Sequence, residues 1–221
     1  MSFSESLRQR TDHLWEDNYR HPFLQELGSG ELDAETFRFY LQQGALYIRQ
    51  YVKGFAMAVV AAETEEQMLR ITTLQHSILE RRPVHLEYMF EQGVSREEFA
   101  TASLSLYGRA YIAHLHNVGR SGDLAEILAA LLPCYWIYTD YAARLQRDYA
   151  DKLEQNPYRG WMEMYTTERY LNSFAWMFDL IDQACEGKSD RQLARVERAF
   201  SASLEFEYLF WDTAYRRKLS Y

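Results

Sequence analysis

Leu128 to Tyr138 reads LAALLPCYWIY, and it sets a thiol directly after a proline within a helical pattern. Proline has no N–H for the carbonyl four residues back, so a helix is bent or loosened at Pro133. Cys134 follows at once, and Tyr138 stands one turn further along the same face. A thiol can act as a nucleophile once it ionises, and a phenol can orient or protonate what it attacks. Near the C-terminus, FEYLFW places Glu207 among aromatic residues, with Phe210 beside it and Trp211 one turn away. Such a carboxyl either faces solvent or is buried and paired. If buried, its pKa rises and it becomes a proton donor near neutral pH.

Two further helical stripes carry phenols at offsets of three and four. Tyr40, Gln43, Gly44, Tyr47 and Tyr51 form one, and Tyr107, Tyr111 and His114 form the other. Stripes of this kind are most often core packing. Ala130, Cys134 and Tyr138 share one side of the proline-broken segment. Cys185 reads as a small hydrophobe. His76 and Glu80, one turn apart, form at most half a metal site, and the segments bearing Cys134 and Tyr165 contain no histidine. No Gly-rich phosphate loop, Ser-His-Asp order or zinc spacing is present.

The elements that must position these groups are helical. Only 10 Gly and 4 Pro in 221 residues leave little punctuation for strands. Helices are expected over about 4–19, 23–27, 34–62, 65–92, a short one after Ser95, 103–118, 124–153, 157–187 and 190–218, one bent at Pro83 and another near Thr166-Thr167. Asp33, Thr64, Ser95, Asp123, Asn156 and Ser189 are the expected caps. The result is an all-α, single-domain bundle (1–221) of about seven or eight helices joined by short loops, with disorder only at the very ends.

A formal net charge of −8 argues against a nucleic-acid surface. No stretch is apolar long enough to span a bilayer, and no basic start precedes an apolar run. Two cysteines without secretory context suit a reducing cytoplasm. Seventeen tyrosines point to a polar-lined cavity or a wet subunit interface, because buried phenols need partners.

Four blocks resemble the TenA, or thiaminase II, family of aminopyrimidine aminohydrolases: HPFLQELGSGEL at 21–32, FYLQQGALY at 39–47, AEILAALLPCYWIY at 125–138 and FEYLFWDTAYR at 206–216. The resemblance implies a haem-oxygenase-like bundle without cofactor, a cytoplasmic homotetramer, and hydrolysis of a C–N bond in thiamin or its breakdown products. It makes Cys134 the nucleophile and Glu207 the proton-exchanging carboxylate. Tyr47, Tyr111, Tyr138, Tyr165 and Phe210 fall at its pocket positions. Gly44 stands where the family has an aspartate that binds the pyrimidine, which implies an altered substrate or, alternatively, small-ligand binding without turnover.

Overall fold

The computed structural model describes residues 2–220. Ser2 caps α1 (Phe3–Arg10), which breaks at Thr11 before α2 (Asp12–Tyr19). His21 then starts α3 (Pro22–Ser29), its Nδ1 accepting from the Phe23 amide at 3.1 Å. Gly30, at φ 82°, ends α3 in the left-handed region that glycine adopts without strain. As the sequence predicts, Asp33 caps α4 (Ala34–Ala61) and Thr64 caps α5 (Glu65–Glu91), which runs through Pro83. α6 (Arg96–Thr101) is short and capped by Ser95.

After α6 the structure departs from the expected boundaries. α7 (Leu106–Gly119) begins three residues later than expected, with Ser105 as its cap. The reason is tertiary. The Gln43 amide donates to the Ser103 carbonyl at 3.1 Å and accepts from the Ser105 N–H at 2.8 Å, holding those residues out of the helix. The expected segment to residue 153 is two helices, α8 (Leu124–Leu131) and α9 (Pro133–Asp148), which meet at Leu132. Pro133 occupies the first turn of α9, where its absent N–H costs nothing.

A 3₁₀ turn (Leu153–Gln155) leads to α10 (Arg159–Thr166), α11 (Glu168–Phe174) and α12 (Trp176–Cys185), where one bent helix was expected. Asn156 does not cap α10. Its side chain binds the Leu27 and Gly28 carbonyls and the Tyr158 amide, pinning the connection to α3. α13 (Asp190–Arg216) follows from a capping box at Ser189 and Gln192. The expected terminal disorder falls on Met1 and Tyr221, outside the described residues.

The described residues are all-α, more finely divided than the sequence suggested because Thr11, Leu132, Thr167 and Ala175 interrupt longer runs. α13 is the central element, packing against α2, α3, α4, α7, α8 and α9, while α4 pairs with α5. One continuous apolar core runs from Leu7 to Ala214. Gly54 lets α4 approach α8: a Cβ there would lie 2.7 Å from Leu131 Cδ2. Among the described residues, no helix is long and apolar enough to cross a membrane.

Candidate active site

The break at Leu132 places Cys134 in the first turn of α9, where the helix dipole favours an anion. It also releases carbonyls at the end of α8. Tyr51 Oη donates to Leu131 O at 2.7 Å, and Ser203 Oγ to Ala130 O at 2.8 Å. Phenol and hydroxyl from α4 and α13 thus fix the thiol-bearing turn, meeting the requirement that buried carbonyls be paired.

Beside that turn lies a cavity of about 110 Å³. Every site residue expected from the sequence lines it: Cys134, Glu207, Gly44, Tyr47, Tyr111, Tyr138, Tyr165 and Phe210. Glu207 is 2% exposed, whereas Glu205 is exposed on the other face of α13. Tyr111 Oη donates to Glu207 Oε1 at 2.9 Å, and Phe206 stacks on the Tyr111 ring at 5.2 Å with 10° between planes. Burial pushes the Glu207 carboxyl up to about 8, with the Tyr111 and Cys134 donors pulling in the opposite direction. Burial and then the nearby Glu207 charge also push the Cys134 thiol well above its usual range, outweighing the helix dipole. Near neutral pH the pair therefore holds both of its protons.

Burial raises the cavity tyrosines as well, so they remain hydrogen-bond donors. Tyr47 Oη is buried with no partner among the described residues, which leaves a donor for a ligand. The walls are aromatic. Tyr138 packs against Trp161, Tyr165 and Trp211 at 5.9, 4.9 and 5.2 Å. A flat heterocycle fits such walls, with a few polar groups to fix its orientation.

Several neighbours of the predicted residues turn elsewhere. Gln43 serves the α7 start, Tyr107 and His114 lie off the cavity, and Ala130 is buried behind it because α8 ends before Cys134. Trp211 backs the wall, its Nε1 donating to Asn18 at 3.1 Å. Cys185 is buried in α12, as a small hydrophobe would be. His76 and Glu80 pair on the surface at 3.2 Å.

The sequence reading missed Trp161, Tyr170 and Tyr135 on the far wall, and Arg81, His85 and Tyr88 from α5. Trp161 is one turn before Tyr165, a spacing that could have found it. Tyr170 had no such signal. Five residues after Tyr165, it reaches the same cavity only because Thr167 leaves the helix at ψ 141°.

The TENA/THI-4/PQQC family model matches residues 8–217. The chain belongs to that family. An aminopyrimidine aminohydrolase of Helicobacter pylori is 31% identical over 217 residues, covering 98% of this chain and all of that one. An enzyme of the same name from Halalkalibacterium halodurans is 29% identical over 221 residues, covering 99% and 98%. Among solved structures, a protein of Silicibacter sp. TM1040 described as a TenA family transcription regulator superposes with a TM-score of 0.88 at 26% identity, covering 96% of both chains. A Shewanella denitrificans domain with a heme oxygenase-like fold matches at a TM-score of 0.78 and 15% identity, covering 96% and 92%, and shows the fold. TENA/THI-4/PQQC membership and the haem-oxygenase-like bundle agree with what the four sequence blocks implied.

Proposed function

We propose that this chain is an aminopyrimidine aminohydrolase of the thiaminase II type, releasing 4-amino-5-hydroxymethyl-2-methylpyrimidine from thiamin-like compounds by cysteine-dependent C–N hydrolysis. The observation that supports it is Cys134 and the Tyr111-bound Glu207 lining one aromatic cavity.

In this reading the ring lies between the tyrosine walls, within reach of sulfur. As sulfur adds to the ring, a ring nitrogen becomes basic and takes the Glu207 proton, and the carboxylate accepts the thiol proton in exchange. The C–N bond to the amine or thiazolium then breaks. Water adds in that place, and its spare proton goes to the departed amine or to solvent. Sulfur then leaves the ring and takes the Glu207 proton, and the ring nitrogen returns its own proton to Glu207. A thiol with a raised pKa needs such a partner, because its resting thiolate fraction is small. Tyr47, Tyr111, Tyr138, Tyr165 and Phe210 orient the ring. Gly44 does not supply the carboxylate that the family resemblance leads one to expect there, so the ring is held by other groups and the preferred substrate is shifted.

The reading extends to a cytoplasmic homotetramer without cofactor. Val60, Leu69 and Val84, at 87%, 67% and 67% exposed, offer apolar surface for association; light scattering tests the subunit count. The function is tested with the aminomethyl analogue of the product pyrimidine and with thiamin. Wild type is expected to release the hydroxymethyl product and Cys134→Ser to lose that activity. Equal output from both proteins removes the thiol from the mechanism, and pyrimidine binding without any turnover leaves only a binding protein.

A further inference from the structure

The cavity has a further wall where α4 and α5 run antiparallel. Arg82 Nη1 donates to Ala45 O at 2.9 Å, and Gln75 Nε2 to Val52 O at 3.0 Å. This register sets Arg81, His85 and Tyr88 opposite Leu41, Gly44, Ala45 and Ile48, and all seven line the cavity. A Cβ built on Gly44 meets nothing within 4 Å, so there is open space beside α4.

The polar groups that α5 brings to that space include no carboxylate. Arg81 spends two hydrogen bonds on Ser77, at 3.1 and 3.3 Å, and neither goes to a carboxylate. Its guanidinium keeps further N–H donors. Tyr88 Oη is buried with no partner among the described residues, and burial keeps the phenol protonated. His85 is pushed towards its neutral form by burial and by the Arg81 and Arg82 charges. The one carboxyl in the lining, Glu207, is engaged by Tyr111 on the Cys134 side and keeps its proton to about 8. A cation beside Gly44 would meet the like charge of Arg81. An anion would meet a half-buried arginine without a counter-ion among the described residues and an unused phenol, which together form strong charge-assisted bonds.

We propose that the α4/α5 wall of this cavity forms a subsite for an anionic acceptor group of the substrate, a carboxylate or a phosphate, held by Arg81 and Tyr88 beside Gly44. The inference rests on the cavity being a pyrimidine site, and it narrows the substrate to pyrimidine derivatives that carry a negative charge. Arg81 and Tyr88 would then determine specificity, while Cys134 and Glu207 carry the chemistry.

The test is calorimetric, with the intact protein and three probes: 4-amino-5-hydroxymethyl-2-methylpyrimidine, its phosphate monoester, and 4-amino-2-methylpyrimidine-5-carboxylate. At least one anion is expected to bind about tenfold or more tightly than the neutral pyrimidine, and which one leads distinguishes phosphate from carboxylate. Arg81→Gln should bring that ratio close to one. Gly44→Asp, for which there is room, should invert it by placing a like charge in the subsite. Neutral binding as tight as both anions, or a preference that survives Arg81→Gln, overturns the subsite and leaves the proposed function standing. Failure of all three probes to bind overturns the pyrimidine reading itself, and the subsite with it.

Discussion

Tyr51 on α4 donates its hydroxyl to the Leu131 carbonyl at 2.7 Å, fastening the last residue of α8 one position before the break that starts the Cys134 helix. Both groups are buried, and the break at Leu132 has taken that carbonyl out of the regular ladder: the Tyr135 amide bonds Leu132 O at 3.0 Å instead. Tyr51→Phe keeps the ring and removes only the donor. A buried carbonyl left unpaired costs about 1–3 kcal/mol, so urea unfolding should show a loss of that size. Turnover should fall as well, because the thiol-bearing turn loses a fixed point. Unchanged stability would mean that water reaches Leu131 and the fastening is not structural.

Glu207 gives the stability a pH dependence of definite sign. In the unfolded chain a glutamate ionises near 4.5, whereas in the fold it holds its proton to about 8. Between those values the folded state binds the extra proton, so this group's contribution falls as pH rises and levels off above the window. Below about 4.5 both states are protonated and the contribution is constant. The full span is at most roughly 5 kcal/mol. Glu207→Gln keeps an acceptor for Tyr111 and removes the ionisation. Relative to wild type it should gain a few kcal/mol between pH 5 and pH 8.5, read from urea midpoints. A pH-independent difference between the two proteins would show that the carboxyl is not held protonated.

Tyr111→Phe acts on the same carboxyl in the opposite sense. The Tyr111 hydrogen bond lowers the Glu207 pKa against the larger effect of burial. Its removal should move the alkaline limb of the kcat/KM profile to higher pH, by up to about one unit. A drop in rate with no displacement of that limb would separate Tyr111 from proton exchange.

Two glycines on α4 should respond oppositely to the same substitution. Gly44 lies within the helix with nothing within 4 Å of its Cβ direction, so Gly44→Ala should stabilise by about 0.5–1 kcal/mol through helix propensity. Gly54 faces Leu131 Cδ2 at 2.7 Å, so Gly54→Ala pushes α8 away from α4 and should destabilise by about 1–3 kcal/mol. Thermal melts of the two variants check the signs.

Gln43→Ala separates scaffold from site. Its amide clamps Ser103 and Ser105 at 3.1 and 2.8 Å, and its side chain lies off the cavity. Losing both bonds should cost about 1–3 kcal/mol of stability, while KM changes less than in Gly44→Asp. Steady-state kinetics beside urea unfolding distinguish the two effects.

Most helix starts, and the residue types that the cavity brings together, were legible in the chain itself. Asp33, Thr64, Ser95 and Asp123 act on amides within three residues, so their capping was legible as a local pattern. Stripes at helical spacing put Tyr47 with Gly44 and Glu207 with Phe210 on shared faces, and all four line the cavity. Asn156 looked like a cap by the same local rules, and only the fold gave its side chain to Leu27 and Gly28 on another element. The late start of α7 depends on Gln43, some sixty residues away in sequence. Packing between segments settled that Glu207 is buried, that Tyr170 turns into the cavity after Thr167, and that Arg81 and Tyr88 line the same cavity as Gly44. Caps and helical faces follow from spacing within one segment. Burial, hydrogen-bond partners and the charge surrounding an open space depend on which segments pack together, and no single stretch of chain encodes that.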